Sequence, residues 1–155
     1  MRKVLHFDSA HEMYECDAAI IACFDNRFEL AGRKLLKNLE IDYYDPVRIA
    51  GGAKSLASPG DPRERDLVLD QIRLSIRLHK THTVLLMVHS DCGAYGGLAA
   101  FKDDREAERE HHSRELRKAA ACLMENIPGL TTRCFFVDFE GVWEVDEQEP
   151  ERLSA

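Results

Sequence analysis

Short, uninterrupted apolar runs separated by segments of helical periodicity constrain this chain more than any other feature. "AAIIACF" at 18–24 and "TVLLMV" at 83–88 are too short for buried helices and too continuous for half-exposed strands, and "CFFVDF" at 134–139 gives a further strand. Runs of this kind are strands covered on both faces, as in parallel sheets. Between them, "FELAGRKLLKNL" puts Phe28, Ala31, Leu35 and Leu39 on one helical face. "DYYDPVRIAGGA" reads as a further short strand, broken by Pro46 and ended by Gly51 and Gly52, and "SPGDPRERD" as a turn.

A helix begins at Asp61, with Pro62 at its first position and Glu64 in the place of a capping box. Val68, Ile72, Ile76 and His79 follow at helical spacing, and Leu67, Gln71, Leu74 and Leu78 form a second stripe that predicts a well-buried helix. The helix expected within 101–127 is charged until Leu116, then apolar at Leu116, Ala120, Leu123 and Ile127. Its first half is expected to be solvated or to lie against a partner. "VWEV" after Gly141 could return as an antiparallel edge strand.

The order β-α-β-α-β-α-β predicts an α/β fold, a mostly parallel four-stranded sheet of order 2-1-3-4 with helices on both faces. With no repeat or linker, residues 1–155 are expected to form a single domain.

Charge excludes some functions. With 21 basic and 28 acidic residues the net charge is −7, and no basic run offers a nucleic-acid surface. The N-terminus "MRKVLHFDSAHEMYECD" contains no sustained apolar stretch, so neither a signal peptide nor a membrane anchor is expected and the protein reads as cytoplasmic. The five cysteines, odd in number and without framework spacing, are then metal ligands, catalysts or core residues rather than disulfides.

Two motifs carry chemistry. "CFDNR" places Cys23 at the end of the first strand with Asp25 and Arg27 at two-residue intervals, and "HSDCG" places His89 at the end of the third strand with Cys92 three residues on. In a 2-1-3-4 sheet the ligand crevice opens between the carboxyl ends of the first and third strands, so the two motifs face each other. Cys23, His89 and Cys92 are a ligand set for Zn²⁺ with one coordination position open, the pattern of a catalytic rather than a structural zinc. Asp25 is the nearest fourth donor. Arg27 can hold its carboxylate in a two-pronged ion pair away from the metal, where it could orient a zinc-bound hydroxide.

The pattern C-x-D-x-R followed by H-x-x-C-G resembles the β-class carbonic anhydrases, and "VRIAGGA" sits where that family has a similar segment after its second strand. The resemblance implies zinc on Cys23, His89 and Cys92, an Asp25–Arg27 catalytic dyad, reversible hydration of carbon dioxide to bicarbonate by a metal-bound hydroxide, and a homodimer or larger assembly. Relatives of the same fold hydrolyse carbon disulfide or carbonyl sulfide, and a non-catalytic zinc-binding module is the alternative outside enzymes.

Other polar residues have plainer expectations. Cys122 and Cys134 read as core residues, Asp91 as a solvated or helix-capping carboxylate, and Tyr95 as part of the wall near the metal. His111 and His112, on the charged helix, are expected to be solvated, with proton transfer the alternative. His79 and His82 flank a helix end, where an imidazole favours the helix dipole. His6, His11 and Cys16, spaced H-x₄-H-x₄-C, could be a second metal site, against the expectation that this segment is unstructured.

Overall fold

The computed structural model describes residues 1–146. Five strands, β1 (Ala18–Ala22), β2 (Tyr44–Arg48), β3 (Thr83–His89), β4 (Thr131–Val137) and β5 (Val142–Val145), form one sheet in the order β2-β1-β3-β4-β5. All neighbours are parallel except β4 and β5, so the predicted order and the antiparallel edge are both observed. The central strands are the ones with continuous apolar runs. Every residue of β1 is buried, as are Val84–His89 of β3.

Side-chain alternation divides the sheet between two cores. Ala19, Ile21, Val84, Leu86, Cys134 and Phe136 pack under helices α2 (Lys54–Ala57), α3 (Pro62–His79) and α4 (Arg105–Asn126), against Leu56, Val68, Ile72, Leu116 and Leu123. Ala18, Ile20, Leu85, Met87, Phe135 and Val137 face the other way, against Phe28, Leu35 and Leu36 of the segment containing α1 (Glu29–Asn38). Each fully buried Leu or Ile contributes about 1.5–3 kcal/mol relative to exposure. Cys122 and Cys134 lie in the first core, as expected.

Several expectations are corrected. Pro46 does not break its strand. It pairs with Ile20 inside β2, which the sheet tolerates because β2 is an edge and a missing N–H can face outward. The short helix α2, just after Gly51 and Gly52, was not foreseen, and β4 begins at Thr131, three residues before the apolar run. In α3 the second stripe is exposed at Leu67, Gln71 and Leu78 and half-buried at Leu74, since the Val68–Ile72 face is the one that meets the core. In α4 the charged half is not solvated throughout, because Glu108, His112 and Glu115 are among its most buried residues.

Local signals set the helix ends. Asp61 accepts from the Arg63 N–H at 2.9 Å, and Pro62 occupies the first position, as predicted. Glu64 reaches past Asp61 to the Gly60 N–H at 3.1 Å. At the other end Lys80 takes a left-handed conformation, φ 55°, which stops α3 directly after His79.

Candidate metal centre

The carboxyl ends of β1 and β3 bring the two motifs together. Cys23 follows the last residue of β1 and His89 closes β3. The chain then turns through Asp91, at φ 51°, so that Cys92 enters a single 3₁₀ turn over Gly93–Tyr95. The ligand atoms of Cys23, His89 and Cys92 all lie within 4.8 Å of one another. His89 and Cys92 are buried, while Cys23 is half-buried.

The backbone around Cys23 is held tightly. The Arg48 guanidinium donates to the Cys23 carbonyl at 3.1 Å and pairs with Glu29 at 2.9 Å. Gly52 sits against the same stretch: a Cβ there would lie 2.3 Å from the Met87 carbonyl oxygen and 2.9 Å from the Cys23 nitrogen, at φ 57°. Only glycine fits this position, which explains one of the two glycines after β2.

The electrostatics suit a cation. Cys23 is pushed far below the ordinary thiol range, chiefly by the hydrogen bond from Cys92 and further by His89 and the Gly51 and Asp25 N–H groups. Cys92 is pushed up by the same contact with Cys23 and by burial, although the N–H groups of Ala94 and Tyr95 point at it. The two sulfurs thus share one proton, a property of the pair. Burial opposes charge on His89, but its contacts with Cys23, the Ser90 carbonyl and Asp25 outweigh this and raise its pKa.

Its tautomer follows from geometry. His89 Nδ1 donates to the Ser90 carbonyl at 2.8 Å, so the Nε2 lone pair is directed at the cysteines. Nε2 is buried with no hydrogen-bond partner among the described residues. A buried nitrogen without a partner costs about 1–3 kcal/mol in a metal-free protein, and a cation among two sulfurs removes that cost. The donor set therefore fits zinc.

Asp25 and Arg27 come together as expected and are joined by a third residue. Asp25 Oδ1 caps the 3₁₀ turn by accepting from the Arg27 N–H at 3.0 Å, and Oδ2 accepts from Arg27 Nε at 3.0 Å and Nη2 at 2.7 Å. This holds the Asp25 carboxyl down at about 2. Oδ2 remains 3.9 Å from His89 Nε2, beside the sulfurs but outside the close ligand group. Arg27 also donates through Nη1 to Asp91 Oδ2 at 2.9 Å. Asp91 in turn accepts from the Leu98 N–H at 3.1 Å. Nearly half exposed, it also clamps the loop, because its left-handed turn aims the side chain back across the crevice.

Beneath the loop, buried Glu108 accepts from the Asp91 N–H at 2.6 Å. No sequence signal singled it out on a helix of charges. His112 is fully buried against the rings of Tyr95 and Phe136, with centroids 4.6 and 5.6 Å away, and neither ring nitrogen has a hydrogen-bond partner among the described residues. Burial pushes it down to about 3, so it is neutral, contrary to both expectations for it. Phe28 packs on the His89 ring at 4.6 Å. A cavity of about 390 Å³ opens beyond Ser90 and Asp91 over Arg105, Arg109, Asp138 and Phe139, but it does not include the three candidate ligands.

His6 and His11 are exposed and do not meet Cys16. Cys16 lies instead with Asp45 and His79.

An α/β sheet of this order, carrying a Cys-His-Cys group at its carboxyl edge, defines the class of protein. Residues 13–147 match the family described as "Putative carbonic anhydrase". The chain belongs to this family. A protein of Rickettsia bellii is 29% identical over 140 residues, covering 88% of this chain and 85% of its own. Among solved structures, the β-carbonic anhydrase of Aspergillus fumigatus superposes with a TM-score of 0.59 at 17% identity, over 89% of this chain and 79% of that one. The carbonic anhydrase of Streptococcus mutans gives 0.60 at 20%, over 90% and 88%. A carbon disulfide hydrolase gives 0.56 at 11%, over 92% and 85%. At these identities the structures establish the shared fold.

Proposed function

We propose that this chain catalyses the reversible hydration of carbon dioxide to bicarbonate, with zinc held by Cys23, His89 and Cys92. The observation that carries this reading is His89 Nε2, buried and without a hydrogen-bond partner among the described residues, with its ligand atom and the sulfurs of Cys23 and Cys92 all within 4.8 Å of one another. Zinc bound there would supply a Lewis acid that makes a water nucleophilic near neutral pH.

The chain's own residues do the rest. Asp25, ionised because Arg27 pairs with it, accepts a hydrogen bond from the attacking water and fixes the direction of its lone pair. Arg27 keeps that carboxylate from swinging onto the ligand group, and Asp91 keeps Arg27 in place. The Phe28 ring, tilted against His89 with centroids 4.6 Å apart, gives the site an apolar side suited to a small linear substrate.

We further propose a homodimer or larger assembly, supported by the exposed rings of Phe24, Phe139 and Trp143. A single domain over residues 1–155 and a cytoplasmic location belong to the same reading. Residues 147–155 lie outside the described residues. No helix among the described residues is long and apolar enough to cross a membrane.

Stopped-flow CO2 hydration on zinc-verified protein tests the assignment, run beside hydrogen sulfide release from carbon disulfide. Hydration well above the buffer rate is the expected result. Sulfide release without hydration would move the substrate to the sulfur analogue. Bound zinc with neither activity would leave a non-catalytic zinc module.

A further inference from the structure

The amino end of the sheet carries a second group of metal-ligating side chains. Cys16 comes from the segment before β1, Asp45 from β2 and His79 from the last turn of α3, and their ligand atoms lie within 4.8 Å of one another. They sit at the opposite end of the strands from Cys23 and His89. We propose that Cys16, Asp45 and His79 are a second metal site, for a borderline-soft divalent cation such as zinc.

Three features of construction support this. First, the ligands are held by backbone they do not share: the Cys16 N–H donates to the His79 carbonyl at 2.8 Å, the Asp17 N–H to the Tyr43 carbonyl at 2.8 Å, and Asp17 Oδ2 accepts from the N–H groups of Asp42 and Tyr43 at 3.0 and 2.9 Å. These bonds fix the approach of the three elements, so the donors converge before any ion arrives.

Second, the outer contacts are those that orient metal ligands. Tyr14 donates to Asp45 Oδ1 at 3.2 Å, leaving Oδ2 for the ion, and its ring stacks on His79 with centroids 4.2 Å apart. Third, the donor set has the right hardness and charge. One thiolate, one imidazole and one carboxylate suit zinc or cobalt(II) better than magnesium or calcium. The two negative donors neutralise a divalent ion in a place where Cys16 is buried and the other two side chains are one-fifth exposed.

Binding also balances in protons. His79 Nδ1 now lies 2.7 Å from Asp45 Oδ2, hydrogen-bonded to it. The ion takes that place, the ring proton moves to Nε2 by exchange with water, and the Cys16 thiol releases its proton to solvent. A water completes the coordination. The site would tie the otherwise irregular segment before β1 to β2 and α3, a structural role distinct from chemistry at the other end of the sheet.

The test is the number of zinc ions bound by the full-length chain after saturation and removal of free metal, with circular dichroism to verify folding. Two equivalents are expected in the wild type and one in Cys16→Ser and His79→Ala. Cys92→Ser should keep one equivalent, and that one should vanish in Cys16→Ser/Cys92→Ser. Cadmium-113 NMR of the wild type needs no variant and should show two resonances, one from a two-thiolate site and one from a one-thiolate site. Saturation at one equivalent that is lost in Cys92→Ser, with a single cadmium resonance, would overturn the proposal. So would a second equivalent that survives both Cys16→Ser and His79→Ala. One equivalent that survives Cys92→Ser but not Cys16→Ser would sustain this site and remove the first.

Discussion

Arg27 Nη1 reaches Asp91 Oδ2 at 2.9 Å, and Nη2 reaches the Asp91 carbonyl at 3.1 Å. The loop after β1 is thereby fastened to the loop after β3, across the crevice where the two motifs meet. Both side chains are nearly half exposed, so the pair adds little stability. Its consequence lies in the orientation of the guanidinium that holds Asp25.

Asp91→Ala is therefore expected to keep zinc and fold while lowering CO2 hydration roughly tenfold, the loss of about one oriented charge-assisted bond. Rates and zinc content on the same preparation check this. An unchanged rate would show that Asp25 alone sets the pose of Arg27.

Asp25→Asn and Arg27→Ala should likewise retain zinc but lose roughly a hundredfold or more in rate, since they act on the orientation of the attacking water and supply no close ligand. Wild-type rates in both would remove the pair from the mechanism.

Cys23→Ser, His89→Ala and Cys92→Ser should each lose the zinc of this site, because a three-donor centre cannot spare one. Cys122→Ala, in the core beneath α4, should keep it. Full zinc at this site in any of the first three, followed by the cadmium resonance of the two-thiolate centre, would exclude that residue as a ligand.

Glycine substitutions separate two environments. Gly52→Ala forces a Cβ to within 2.3 Å of the Met87 carbonyl at a positive φ, and should cost about 3 kcal/mol or more. Gly32→Ala, inside α1 with nothing within 4 Å of the new Cβ, should stabilise by about 0.5–1 kcal/mol. Urea unfolding midpoints of the two variants check both signs.

His112 predicts an acid sensitivity. Burial holds its folded-state pKa down to about 3, while the unfolded chain has the ordinary value near 6.5. Below that value the unfolded state binds the extra proton, so the stability from a neutral buried His112 is fully present above pH about 6.5 and is lost as the pH falls toward 3. Between pH 7 and 5 the loss is about 2 kcal/mol. His112→Phe should flatten that part of the profile when urea unfolding of the two proteins is compared at both pH values. An equal slope in both would mean that His112 carries its charge in the folded state.

The linear sequence determined the strand order, the burial of β1 and β3 and the meeting of Cys23, His89 and Cys92. Each follows from local periodicity plus one general rule about where parallel strands open. Asp25 and Arg27 were legible for a similar reason, since two residues so close in sequence find each other without help from the rest of the chain. The partners of charged side chains on helices and loops were not legible. Glu108 and His112 look like any solvated pair on α4, Asp91 like any loop carboxylate, and the segment around Cys16 carries no strong structural signal. Hydrophobic periodicity reports which face of an element is buried, but a polar group's partner depends on which distant segments arrive beside it. Only the packing of α4 under the β3 loop, and of the segment before β1 against β2 and α3, brought Glu108 to Asp91 and Cys16 to Asp45 and His79.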